Sequence, residues 1–189
     1  MSLQSEKTLV TFDQSTKIHN TNIEKLIPLI SPAVLNMFLP STNEINQLVI
    51  KTRNEISNII QGNDDRIILI VGPCSIHDTN SALEYAKKLN ILKQKFKNEV
   101  LIIMRCYFEK PRTISTSWKG LINDPNLNNT CKINDGIKIA RQLLLNINEI
   151  GLPCAYECLD TITIQYIADL ISWSCVGART VQSQVHRQL

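Results

Sequence analysis

VLIIMRCYFEKPRT, residues 100–113, begins as an unbroken apolar run and then sets Arg105, Glu109, Lys110 and Arg112 within eight positions. A continuous run rich in β-branched residues suits a strand covered on both faces. Charges that start on the last residue of such a strand sit at one end of a sheet, which is a different placement from a solvated helix face. The same layout occurs earlier in IILIVGPCSIHD, residues 67–78, where a second buried strand stops at Gly72-Pro73 and gives way to Cys74, His77 and Asp78.

Working outward from these two strands, the intervening segment reads as a helix. Asp78 to Asn80 can cap it, His77 is read as sharing in that cap with Asp78, and Leu83, Ala86, Leu89, Leu92 and Phe96 form its buried stripe. Upstream, Ser41-Thr42-Asn43-Glu44 is a capping box opening a helix with Ile45, Leu48, Val49, Ile56, Ile59 and Ile60 on one face, closed by Gly62. Downstream, a helix from near Asn134 carries Ile137, Ala140, Leu144 and Ile147 and ends at Gly151. LPCAYECL (152–159) reads as a third strand, TIQYIADLIS (163–172) as a further helix and SCVGA (174–178) as a short fourth strand before a final helix. This alternation predicts an α/β fold with a parallel sheet, and both an open doubly wound sheet and a (β/α) barrel fit the order. No G-x-G-x-x-G follows the first strand, which argues against dinucleotide binding.

The bulk composition narrows the function classes. The 189 residues suit one domain with a real core, and 43% hydrophobic with 20% charged residues is ordinary for a globular chain. A net charge of +3 is too small to point to nucleic acid, and no apolar run has the length of a membrane span. Residues 1–40 read as a polar arm without the apolar middle of a signal peptide, and 41–189 as the α/β domain, a partial (β/α) barrel that stops after its fourth strand. The six cysteines contain no C-x-x-C pair, and most lie in apolar runs. They read as reduced thiols of a cytoplasmic protein.

Every strand ends in polar or reactive residues: Cys74 after the first, Arg105 and Lys110 after the second, Glu157 and Asp160 after the third, Arg179 after the fourth. In a parallel α/β fold these ends share one face, where such folds keep their sites. Arg105, Lys110, Arg112 and Arg179 therefore converge on a site for a substrate with several negative charges. Each has a structural alternative, since Arg105 and Arg179 can pair with Glu157 or Glu109.

GPCSIHD (72–78), MRCYFEKPRT (104–113), WKGLINDP (118–125) and GARTVQSQVHR (177–187) closely resemble class I 3-deoxy-D-arabino-heptulosonate 7-phosphate (DAHP) synthase, collinearly from about Gly62 to the last residue. The resemblance implies a (β/α)8 TIM barrel, of which the first four β/α units are present, preceded by an N-terminal helical extension. It implies a metal-dependent transferase that condenses phosphoenolpyruvate with erythrose 4-phosphate, the first step of the shikimate pathway to aromatic amino acids. The enol carbon attacks the aldehyde, water adds at the adjacent carbon, and phosphate leaves. By the same resemblance Cys74 is a ligand to a divalent metal of the Mn, Fe, Co or Zn class. Arg105, Lys110 and Arg179 hold phosphoenolpyruvate, with Arg105 and Lys110 as the catalytic cations. Lys110, Pro111, Arg112 and Thr113 receive erythrose 4-phosphate, Glu157 lies beside phosphoenolpyruvate, and Ala178 offers a backbone contact. Neither nucleic acid nor membrane is implied as a partner, and the full-length form is implied to be a homo-oligomer.

The resemblance also has departures. The family's remaining metal ligands (a histidine, a glutamate and an aspartate) and a further lysine and arginine come from later strands, so these residues amount to half an active site. Ile114-Ser115-Thr116-Ser117 lengthens the linker to Trp118 and is expected to displace Trp118 and Lys119 from the rim. Tyr156 stands where the family has a small residue and is expected to crowd the pocket beside Glu157. Ile164 and Val181-Gln182 replace a proline and a Thr-Glu pair of the family near its inhibitor region. Two readings compete: a fragment of a synthase, and an inactive half-barrel that binds phosphate ligands or associates with a full-length synthase. A structural remnant is the third.

Overall fold

The computed structural model describes residues 26–111 and 117–189. The chain divides into two units, Met1–Ile30 and Ser31–Leu189, and all the helices and strands described here lie in the second. Helix α1, Pro32–Phe38, falls inside the stretch read as a polar arm. Ser31 caps it by accepting from Val34 N at 3.3 Å, and proline sits in its first turn, where a missing N–H costs nothing. Helix α2, Asn43–Ile60, is capped by Thr42, whose Oγ1 accepts from Ile45 N at 3.3 Å. The cap is one residue later than the box read from Ser41. Gly62, at φ +76°, turns the chain out of α2 as anticipated.

Four strands follow, β1 (Ile67–Val71), β2 (Val100–Arg105), β3 (Cys154–Cys158) and β4 (Trp173–Val176), all parallel and ordered β1-β2-β3-β4. Helix α3 (Thr79–Lys95) links β1 to β2, and α4 (Ile133–Glu149) lies between β2 and β3. Spatial order that follows chain order is the winding of a barrel; a doubly wound sheet reverses direction at a switch point. The sheet is therefore barrel-like, and the open alternative falls.

Strand alternation gives the sheet two distinct faces. Ile68, Ile70, Leu101, Ile103, Ala155 and Trp173 share one, packed on Ile56 and Ile59 of α2. On the other, Ile102, Met104, Cys154, Tyr156 and Cys158 are buried, with α3 against β2 and α4 against β3. β1 departs from expectation here: Ile67 is 68% and Leu69 43% exposed, so its apolar run is packed on one face only. Among the described residues no element covers that side of the edge strand.

The segment read as a helix over 163–172 forms two short 3₁₀ turns, Thr163–Tyr166 and Ala168–Leu170. Side chains from elsewhere take the carbonyls that an α-helix would use internally. Arg141, completely buried in α4, donates to Tyr166 O at 2.8 Å and to both oxygens of Asp169 at 2.7 and 2.8 Å, while its Nε reaches Leu39 O at 2.8 Å. Asn148 donates to Leu170 O at 3.0 Å, and Arg53 to Ile171 O at 2.6 Å and Ala168 O at 2.9 Å. At the chain end α5 spans only Gln184–Arg187.

Candidate active site

The C-terminal ends of β1 and β2 approach closely because Gly72 allows it. A Cβ there would stand 2.7 Å from Arg105 O, so any side chain would push the two strand ends apart. Past Gly72-Pro73 the chain bends and exposes Cys74. Asp78 alone caps α3, accepting from Ser81 N at 2.7 Å. The cap role read for His77 is therefore corrected: its ring meets Trp118 edge-on, with centroids 6.3 Å apart.

Arg105, the last residue of β2, has the same parity as Leu101 and Ile103 and so belongs to the α2-packed face. Its Nη2 donates to Cys74 O at 3.4 Å, and its guanidinium lies 3.8 Å from the centroid of the Tyr107 ring. The buried Arg105 Nε has no hydrogen-bond partner among the described residues. Lys110 Nζ stands 4.0 Å from Cys74 Sγ. Cys74, Arg105 and Lys110 are thus brought together at one end of the sheet.

The structural alternative for these cations does not hold. Within 4 Å, the ion pairs among the described residues are Arg66 with Glu55 and Asp64, and Arg141 with Asp169. Arg105, Lys110 and Arg179 make none. Glu109, one proposed partner, faces the other way: Tyr156 Oη donates to it at 2.5 Å and Asn123 Nδ2 at 3.4 Å. Burial raises the Glu109 carboxyl above the usual glutamate range, and the Tyr156 bond opposes that shift. Tyr156 does not crowd the pocket either. Its position in β3 places it on the opposite face from Glu157, and it is buried under Phe108.

Glu157 is half-buried at the end of β3. The pairing of Arg105 with Ala155 sets Glu157 level with Tyr107, and Glu157 itself pairs with Cys175 of β4. Tyr107 Oη lies 3.4 Å from Cys175 Sγ. Burial, then Cys175, push the Tyr107 phenol far above its ordinary range, so it stays protonated. Sequence reasoning missed Tyr107 and Cys175 as parts of this site. The available signal was period-two alternation from Arg105 to Tyr107.

Ala178 and Arg179 are exposed in a turn just past β4, closed by Thr180 N on Gly177 O at 2.9 Å. They share the C-terminal end of the sheet with Arg105 and Lys110. Pro111 is exposed, and Arg112 and Thr113 lie outside the described residues. The longer linker does not detach the segment after it. Lys110 N donates to Lys119 O at 2.9 Å, and Trp118 Nε1 to Asp124 O at 2.9 Å, so Trp118 and Lys119 stay at the strand end. A cavity of about 340 Å³ lined by Lys51, Glu55, Arg66, Lys93 and Lys97 opens at the N-terminal end of the sheet, away from this chemistry.

Cys74 offers one thiol donor for a metal. Among the described residues no group of three or more His, Cys, Asp or Glu can hold an ion. One thiolate does not make a divalent site.

Residues 42–189 match the DAHP synthetase I family. The chain belongs to this family. It is 52% identical over 170 residues to phospho-2-dehydro-3-deoxyheptonate aldolase of Haemophilus influenzae, covering 90% of this chain and 47% of that protein. It is also 52% identical over 167 residues to the Phe-sensitive aldolase of Escherichia coli K12, covering 88% and 47%. The solved aldolase from Francisella tularensis superposes with a TM-score of 0.84 at 55% identity, covering 88% of this chain and 48% of that one. The chain thus spans about half the length of the DAHP synthetase relatives it matches, and its sheet is a four-stranded portion of their TIM-barrel family fold. No helix among the described residues is long and apolar enough to cross a membrane.

Proposed function

We propose that this chain supplies the anion-binding half of a DAHP synthase site, which condenses phosphoenolpyruvate with erythrose 4-phosphate. The observation that carries this reading is the pair Arg105 and Lys110, held beside Cys74 at the strand ends without a counter-ion among the described residues. Two unpaired cations on one face favour an anion with several charges, and the guanidinium fork suits phosphate or carboxylate oxygens.

In this reading Arg105, Lys110 and Arg179 bind phosphoenolpyruvate, with Glu157 beside it and the Ala178 backbone as a further contact. Lys110, Pro111, Arg112 and Thr113 receive erythrose 4-phosphate. Holding two anionic substrates in one geometry offsets their mutual repulsion and lowers the entropic barrier to encounter. Cys74 would be one ligand of a divalent metal that polarises the aldehyde when bound. The residues described do not complete that metal's donor set, so the chemistry assigned to this chain is binding and orientation. In this reading the full-length form works as a homo-oligomer.

The test is calorimetric titration of phosphoenolpyruvate into the native gene product and its Arg105→Ala variant. Binding that weakens at least tenfold supports the site; equal affinity in the two sinks it. A second reading is an inactive half-barrel that binds phosphate ligands without turnover, favoured by the lone Cys74 thiol, beside which no other group of possible metal ligands stands among the described residues. Phosphoenolpyruvate binding with no condensation in the presence of manganese and erythrose 4-phosphate selects it.

A further inference from the structure

Arg105 is a long side chain with few restraints. Among the described residues it makes one long hydrogen bond to Cys74 O at 3.4 Å and no ion pair, and its buried Nε has no partner. What remains to orient it is the Tyr107 ring, 3.8 Å below the guanidinium. A planar cation stacked on an aromatic face keeps its edges free for in-plane hydrogen bonds to an anion. The ring direction is in turn set at its far end. Tyr107 follows β2, reaches across the level of Glu157 on β3, and meets Cys175 Sγ on β4 at 3.4 Å. One contact chain therefore runs over three strand ends: β4 thiol, phenol, guanidinium.

We propose that Tyr107 and Cys175 are a positioning pair for Arg105, so that the Cys175 thiol governs how tightly the site binds phosphoenolpyruvate. This rests on the anion-site reading above. Neither residue touches the substrate; each acts through the guanidinium. The charged groups facing the pair are Arg105 and Glu157, and burial keeps the phenol protonated as the donor.

The experiment uses the native gene product with Tyr107→Phe, Cys175→Ala, their double variant, Cys175→Ser and Arg105→Ala. Phosphoenolpyruvate affinity is read by calorimetry, and motion of the Arg105 Nε–H by NMR order parameter without ligand. Loss of one neutral hydrogen bond corresponds to about two- to tenfold in affinity. Tyr107→Phe and Cys175→Ala should each weaken binding by that factor and lower the order parameter. The double variant should lose no more than the worse single one, and Cys175→Ser should recover most of the loss. Where turnover is measurable, KM for phosphoenolpyruvate should rise with kcat retained. Unchanged order parameters in both single variants, or fully additive losses, overturn the pair. Arg105→Ala separates the two levels. If it leaves affinity intact, the anion-site reading fails, and the order parameters still decide whether the pair holds Arg105. If it abolishes binding while the other variants bind normally and keep Arg105 rigid, only the pair is wrong.

Discussion

Tyr156 donates a 2.5 Å hydrogen bond to Glu109, and this bond fixes which way the Glu109-Lys110 turn faces. With the carboxylate drawn to the buried side, the next residue turns towards Cys74. The acid-base pattern of the opening stretch is thus sorted by burial: Glu109 points inward to a tyrosine and an asparagine, while Arg105 and Lys110 lie beside Cys74.

The Glu109 carboxyl carries a pH signature. Its folded pKa is raised, chiefly by burial, with Asp160 adding to the shift and the bonds from Tyr156, Asn123 and Thr163 opposing it. A raised carboxyl binds its proton more tightly in the folded state, so its contribution to stability is full below the ordinary glutamate range. That contribution is lost as pH rises from there through the folded pKa. Glu109→Gln should therefore flatten this part of the pH dependence, seen as a shrinking difference in urea midpoint between variant and parent as pH falls towards 4. Tyr156→Phe removes a donor from a largely buried carboxylate and should cost about 1–3 kcal/mol at neutral pH. Identical midpoints for Tyr156→Phe and the parent would contradict the role given to the bond.

Arg141 should be among the most sensitive positions of the fold. It is wholly buried, pairs with Asp169, and satisfies the carbonyls of Leu39 and Tyr166. Arg141→Met leaves the Leu39 and Tyr166 carbonyls and the partly exposed Asp169 carboxylate without their donor, which should cost about 1–3 kcal/mol. Hydrogen exchange should lose protection first in residues 163–170, whose 3₁₀ turns depend on that side chain. Protection lost evenly over the sheet would show that Arg141 is only a packing residue.

The bare face of β1 gives the opposite expectation. Leu69→Thr at a 43% exposed site should change stability by no more than about 0.5 kcal/mol, whereas Ile103→Ala, fully buried, should cost about 2–5 kcal/mol. The contrast is read from denaturant midpoints. A loss at Leu69 comparable to that at Ile103 would mean that a further element packs on this face in the native gene product.

How much of this was legible from sequence follows from what each signal depends on. The strands IILIV and VLIIM and the helix ends at Gly62 and Gly151 are local signals, and they appear as read. Ile164, Ile167 and Ile171 give a helical spacing too, but 3₁₀ turns bury the same residues, and the deciding hydrogen bonds come from Arg53, Arg141 and Asn148, far away in sequence. The exposure of Ile67 depends on a neighbour that the run itself does not specify. At the site, charge type and strand-end position located Cys74, Arg105 and Lys110. The direction of Glu109 depended on Tyr156, which the sequence reading had set on the wrong face.

The cations of the proposed site divide by substrate. Arg105 lies at the strand end with its guanidinium flat on Tyr107, so Arg105→Ala should chiefly raise KM for phosphoenolpyruvate. Arg112 follows the exposed Pro111 and belongs, by family resemblance, to the erythrose 4-phosphate side; Arg112→Ala should chiefly raise KM for that substrate. Lys110 stands between them beside Cys74, so Lys110→Ala should impair both. Each lost charge-assisted hydrogen bond is worth about 1.5–3 kcal/mol, or roughly tenfold to more than a hundredfold in KM. The assay is steady-state kinetics of the native gene product with each substrate varied in turn. Thermal midpoints serve as the control, because Arg105 and Lys110 have no ion pair among the described residues and their loss should leave the fold in place. Three variants that lose stability while keeping near-normal kinetics would make Arg105, Lys110 and Arg112 structural charges.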